Sequence, residues 1–180
     1  MINFDNAATT FPKPRSVRQA MEMAMLKYGG NAGRGGHQLT ERTSEQVFAA
    51  REEAAAFFGG KPENTIFCLN CTHALNLAIQ GIVQPNDHVI ISNLEHNAVL
   101  RPVAAMVRER GVQCSIAPVS VDDKETIAAF RARIRPNTRA IICTLASNVT
   151  GQILPYRELA ALCNEHDICM IADGAQACGT

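Results

Sequence analysis

The run Ile168-Cys169-Met170-Ile171-Ala172 opens directly onto Asp173-Gly174-Ala175-Gln176. An acid at the carboxyl end of a buried strand, with an amide three residues on, suits the gripping of a heteroaromatic ring. Asp173 can hold a ring nitrogen protonated, and Gln176 can hydrogen-bond an oxygen beside it. Pyridoxal phosphate asks for that grip, because a protonated pyridine is what lets it act as an electron sink. The same chemistry needs a lysine for the Schiff base, and no lysine follows Lys124. A cofactor cradle without its covalent anchor is expected, so this chain alone is expected to hold the cofactor at most weakly and to be inactive.

Other polar residues gather in the same kind of setting, just past apolar runs. They are Asn70-Cys71-Thr72-His73, Asn93-Leu94-Glu95-His96-Asn97 and Ser147-Asn148. In open α/β sheets ligands sit beyond the carboxyl ends of the strands, so this convergence points to one ligand rim. Asn70-Cys71-Thr72-His73 leads straight into a helical pattern, whose free amides and dipole favour an anion. Thr72 can add a bond to that anion or serve only as the N-cap. His96 can stack on a flat ring, move a proton, or be purely structural. Asn148 can bond a ligand oxygen, or mark a turn before Gly151. Arg34 and His37, in or beside the Gly-rich stretch 29–36, can reach a carboxylate or simply decorate a loop.

Two familiar signatures are absent. The Gly-rich stretch contains no Gly-x-Gly-x-x-Gly and follows a helical pattern, so it is no dinucleotide fingerprint. Cys68-x-x-Cys71 with His73 has metal-binding residue types. Yet Cys68 lies inside an apolar run and no second Cys/His pair has zinc spacing, so no metal is assigned.

The elements that must carry these residues alternate. Thr65–Leu69, His88–Ser92, Val112–Val119, Arg139–Leu145 and Ile168–Ala172 read as buried strands. Helical patterns cover Thr72–Val83, Ala98–Arg110, Lys124–Ile134 and Tyr156–His166. That alternation predicts an α/β fold, a mostly parallel sheet with helices on both faces. The first sixty residues differ, with two helices at Pro14–Tyr28 and Thr40–Phe58 flanking the Gly-rich loop. Val17, Ala20, Met21, Ala24 and Met25 line one face of the first. The division expected is a helical segment, 1–60, and a partial cofactor-binding α/β domain, 61–180. A parallel sheet ending on a freshly completed strand leaves an edge uncovered, so the chain is expected to continue past Thr180.

Composition narrows the class of partner. Seventeen basic and seventeen acidic residues cancel, giving no electrostatic case for nucleic acid or an acidic membrane. The longest stretch without formal charge, Asn64 to Asn86, is broken by polar residues and does not read as a membrane span. The start Met1-Ile2-Asn3-Phe4-Asp5 lacks a basic region followed by an apolar one, so no secretory signal is expected, and seven cysteines in no regular array fit reduced thiols in a cytoplasmic protein.

Taken together these pieces resemble the amino-terminal part of the class V aminotransferase group, specifically the cysteine desulfurase and selenocysteine lyase family. They are Phe4-Asp5-Asn6-Ala7-Ala8-Thr9-Thr10, Asn31 through His37, Thr72-His73-Ala74-Leu75-Asn76, Glu95-His96-Asn97, Ser147-Asn148-Val149-Thr150-Gly151 and Ala172-Asp173-Gly174-Ala175-Gln176, in family order. The resemblance implies a fold-type I pyridoxal phosphate enzyme, a homodimer, acting on an amino acid. The complete enzyme would convert cysteine to alanine and pass the sulfur, as a persulfide, to an acceptor protein such as those of iron–sulfur cluster assembly. By position, Asp173 would pair with the pyridinium nitrogen, Gln176 with the phenolic oxygen, and His96 would stack on the ring. Thr72 and His73 would contact the phosphate, and Asn148 the phenolic oxygen or substrate carboxylate. Ala7 and Ala8 would border the substrate pocket, with Arg34 and His37 as further substrate contacts. The family's lysine, mobile-loop cysteine and carboxylate-binding arginine would all lie beyond position 180. Where the family more often has Gly-Thr-Thr in the phosphate loop, this chain has Asn70-Cys71-Thr72. The alternatives are another class V member, an aminotransferase or kynureninase-like hydrolase, or a non-catalytic domain that kept the fold.

Overall fold

The computed structural model describes Asn6 and residues 9–179. The chain divides into two compact units, with the boundary between Phe67 and Cys68. Ala7 and Ala8, expected beside the substrate, lie outside the described residues.

The first unit holds α1 (Arg15–Lys27) and α2 (Gln38–Phe58), followed by a 3-10 turn at Pro62–Asn64. Glycine ends α2 because Gly59 adopts φ 67°, a left-handed cap that L side chains resist. Of the apolar face expected of α1, Ala20 and Ala24 line a cleft of about 550 Å³ with Met23 of the same helix and Thr43, Val47 and Ala50 of α2, while Val17, Met21 and Met25 are exposed. Positions 20, 23 and 24 share a helix face as well as 17, 20 and 21 do, and periodicity alone does not choose between neighbouring arcs.

The second unit alternates α3 (Cys71–Ile82), β1 (His88–Ser92), α4 (Asn97–Arg110), β2 (Gln113–Ala117), α5 (Asp123–Arg131), β3 (Thr138–Thr144), α6 (Tyr156–Glu165) and β4 (Cys169–Asp173). All three strand pairings are parallel, in the order β2-β1-β3-β4. The side-chain period of two then sorts the core. Val89, Ile91, Ala140 and Ile142 pack on α3 and α4 through Ile79, Val99 and Val103. Ile90, Ile141 and Cys143 face the other way, onto Phe130 of α5 and Leu159 and Leu162 of α6. The sheet is covered on both faces, as the near-continuous apolar strands require.

Thr65–Leu69 is not a strand. Ile66, Phe67 and Leu69 are exposed, and no neighbouring strand among the described residues pairs with the segment. Without a partner to take its backbone groups, an apolar β-branched run has propensity but no ladder.

Candidate active site

Every strand runs the same way, so the carboxyl ends of β1, β3 and β4 meet on one edge of the sheet. The chain leaves β1 towards β2 on one side and returns to β3 on the other. The break in strand order therefore lies between β1 and β3, the position at which α/β sheets open a crevice. His96 follows β1, Asn148 follows β3, and Asp173 ends β4 with Gln176 just beyond. The start of α3 joins the same rim, because Cys71 Sγ donates to Asp173 Oδ1 at 3.2 Å across 102 residues of chain.

Asp173 is buried, and its two oxygens differ. Oδ1 accepts from the Cys71 thiol and from the Ala175 amide at 3.0 Å. Among the described residues no donor reaches Oδ2. A carboxylate with one oxygen fixed and one open is oriented to accept a single further hydrogen bond, which is what a protonated ring nitrogen supplies. The thiol that fixes it is held protonated. Burial first, then the Asp173 hydrogen bond and charge, push Cys71 up from 9.0 to about 11. A Cβ at Gly174, next to this carboxylate, would make the Cys178 side chain turn away.

The α3 start can hold an anion. Asn70, not Thr72, is the N-cap, its Oδ1 accepting from the His73 amide at 2.9 Å. The capping alternative for Thr72 therefore falls away, and its hydroxyl stays exposed in the first turn. The Cys71 and Thr72 amides have no acceptor among the described residues. Two open amides, a hydroxyl and a helix dipole together suit an anion. His73 Nδ1 accepts from the Leu69 amide at 3.4 Å, which turns its ring back onto the loop before the helix.

The remaining residues on this rim carry lighter internal duties. His96 caps α4, with Nδ1 accepting from the Ala98 amide at 3.1 Å, while its ring stays exposed. Asn148 is also exposed. Its turn is held instead by Ser147, whose Oγ accepts from the amides of Val149 and Thr150. Gln176 is half-buried. In the first unit, His37 caps α2 and exchanges a 2.9 Å hydrogen bond with Thr40 Oγ1, while Arg34 is exposed. Lys124 follows β2, at the opposite edge of the sheet from Asp173.

Glu95 is the rim residue whose importance the sequence reading missed. It is 8 % exposed, and its Oε1 accepts from Ser92 Oγ and from the Thr144 amide at 2.9 Å. Oε2 is buried with no partner among the described residues. Burial pushes its carboxyl up, against the pull of the Ser92 and Thr144 bonds, and the Asp173 charge adds to the rise. A charged residue inside an otherwise polar loop motif carries no sequence mark of burial.

The family model described as Aminotransferase class-V matches residues 2–180. This chain belongs to the class V aminotransferases. Among curated proteins it is 29 % identical to a probable cysteine desulfurase of Vibrio cholerae over 181 residues, covering 98 % of this chain and 45 % of the relative. Among solved structures, the apo cysteine desulfurase of Thermococcus onnurineus matches with TM-score 0.82 at 25 % identity, covering 94 % of this chain and 42 % of that one. A protein named SspA, solved in complex with cysteine, matches with TM-score 0.84 at 25 % identity, over 96 % of this chain and 50 % of its own. The chain thus spans about half or less of these relatives' length, and corresponds to their amino-terminal part. The expected α/β class, with parallel strands and helices on both faces, is borne out. So is the resemblance to the cysteine desulfurases. Among the described residues no group of three or more His, Cys, Asp or Glu is placed to hold a metal, and no helix is long and apolar enough to cross a membrane.

Proposed function

We propose that this chain forms the pyridoxal phosphate cradle of a cysteine desulfurase-like enzyme, which in whole form releases alanine from L-cysteine and passes the sulfur on as a persulfide. The observation that carries this reading is Asp173, with Oδ1 satisfied by Cys71 and Ala175 and Oδ2 open beside an amide-lined helix start. The donor and acceptor set fits the cofactor at both ends. Asp173 would take the ring nitrogen and keep it protonated. The ring of His96 would stack on the pyridine, and Gln176 and Asn148 would hydrogen-bond its phenolic oxygen. Thr72, His73 and the first amides of α3 would hold the phosphate. When bound, the cofactor supplies an electron sink for bonds broken at and beside the substrate α-carbon.

Asn148 would lie near the substrate carboxylate, Ala7 and Ala8 would border the substrate pocket, and Arg34 and His37 would be further substrate contacts. Cysteine is favoured over other amino acids by the cysteine desulfurase relatives and by the cysteine held in SspA. A homodimer, a sulfur-acceptor protein and a cytoplasmic site of action belong to the same proposal.

The test is titration of pyridoxal phosphate into the purified chain, followed by absorbance and by equilibrium dialysis. The expected result is saturable binding, weakened at least tenfold by Asp173→Asn, as expected when a charge-assisted hydrogen bond is lost. A chain that binds no cofactor, or binds it equally well after Asp173→Asn, would overturn the reading.

A further inference from the structure

The end of the β1–β3 ladder is bridged by a group that has no part in the proposed cofactor grip. The last β1–β3 pair is Ile91↔Ile142, and Ser92 already pairs with Ala117 of β2 on the other side. Thr144 stands two residues past that last pair, where the two strands part. Its amide goes to Glu95 Oε1 at 2.9 Å, and the same oxygen accepts from Ser92 Oγ. One carboxyl oxygen thus takes a donor from each strand end and prolongs the contact where the ladder has stopped.

Both sides of that bridge lead to the proposed ring grip. Glu95 is followed directly by His96, so the carboxyl fixes the root of the loop that carries the imidazole. Thr144 is the register partner of Asp173 in β4, and the Leu145 amide donates to Asp173 O at 2.9 Å. A displacement of Thr144 therefore passes to Asp173 through one ladder step. The cost of the arrangement is visible in the partnerless, buried Oε2. Burying an unsatisfied carboxyl oxygen is unfavourable, and a residue used only to fill this space would more economically be apolar.

We propose that Glu95 is a positioning residue: its Oε1 ties the His96 loop to the β3–β4 edge and so sets the separation between the imidazole at 96 and the carboxylate at 173. This inference rests on the proposed cofactor role of those two groups. It predicts a division of labour on the rim. Glu95 governs the grip on the ring, while the α3 start, which Glu95 does not touch, holds the phosphate alone.

The test measures the affinity of the 180-residue chain for pyridoxal phosphate and, separately, for inorganic phosphate, in wild type, Glu95→Asp and Glu95→Gln. Glu95→Asp keeps the charge but shortens the reach to Thr144 by one methylene. Glu95→Gln keeps an oxygen to accept from both donors. Glu95→Asp should weaken pyridoxal phosphate about tenfold or more and leave inorganic phosphate unchanged, and Glu95→Gln should restore pyridoxal phosphate to within about threefold of wild type. A general loss of structure would weaken both ligands together, and that result overturns the proposal. Equal binding of pyridoxal phosphate by wild type and Glu95→Asp overturns it also, as does failure of Glu95→Gln to restore binding. If wild type itself binds no pyridoxal phosphate, the proposed function fails first. In that event the bridge is read from the Thr144 amide, whose hydrogen exchange should quicken in Glu95→Asp and return in Glu95→Gln. An unchanged exchange rate overturns the bridge.

Discussion

Cys71 offers a direct chemical probe of the site, because its reactivity depends on a hydrogen bond to Asp173. The thiol is exposed, so an alkylating reagent can reach it. Its pKa, raised from 9.0 to about 11, follows first from burial of part of the group and then from the Asp173 hydrogen bond and charge. At pH 8 this rise cuts the thiolate fraction by about 100-fold relative to an ordinary thiol. A thiolate that binds its proton more tightly is also the better nucleophile, by about eightfold for a Brønsted slope near 0.45. The net expectation is alkylation at Cys71 roughly tenfold slower than at an unhindered cysteine in a peptide. Asp173→Asn removes the charge and alters the acceptor but leaves the burial in place. The rate should then recover only in part, by about two- to fivefold. The assay is timed alkylation with iodoacetamide across pH 7 to 11, read at the Cys71 peptide by mass spectrometry. Reaction at the ordinary rate, or a rate that ignores Asp173→Asn, would refute the 3.2 Å contact and with it the fixed orientation of the carboxylate.

Three further outcomes follow from the same geometry. Phe130, fully buried between α5 and the sheet, should lose about 3–5 kcal/mol of unfolding free energy on replacement by alanine, measured by denaturant titration. Asp122 accepts from the Lys124 amide at 2.8 Å as the N-cap of α5, and Asp122→Ala should cost about 1 kcal/mol in the same measurement. The Glu95 carboxyl is raised above its ordinary 4.5, chiefly by burial with Asp173 adding charge, so the folded state binds that proton more tightly than the unfolded one. Its contribution to stability is complete below pH 4.5 and is lost as pH rises through the folded value. The difference in unfolding free energy between wild type and Glu95→Gln should therefore fall as pH rises above 4.5, and a difference that instead grows would reverse the assignment.

Much of this molecule is readable along the chain. Among the described residues, alternating apolar runs and amphipathic segments predict all four strands and all six α-helices, with ends within a few residues. They do so because side-chain direction repeats every two residues in a strand and every 3.6 in a helix. Polar residues that follow such runs fall on one rim because parallel strands share a direction. Thr65–Leu69 marks the boundary of this logic. It has strand composition, but a strand needs a neighbour, and pairing is a property of two segments.

The site divides along the same line. Asp173, His96, Thr72 and Asn148 were identifiable as candidates from residue type and position after a strand. The choice of Asn70 over Thr72 as the cap was not, since both residues suit the role and only the helix start in space distinguishes them. The Cys71–Asp173 contact spans 102 residues, and the Glu95 bridge joins the ends of strands 49 residues apart. Local pattern determined which groups stand at the carboxyl edge of the sheet. Only the tertiary structure decided which oxygen of Asp173 stays open and which carboxyl holds the crevice, because both depend on donors brought in from distant segments by packing.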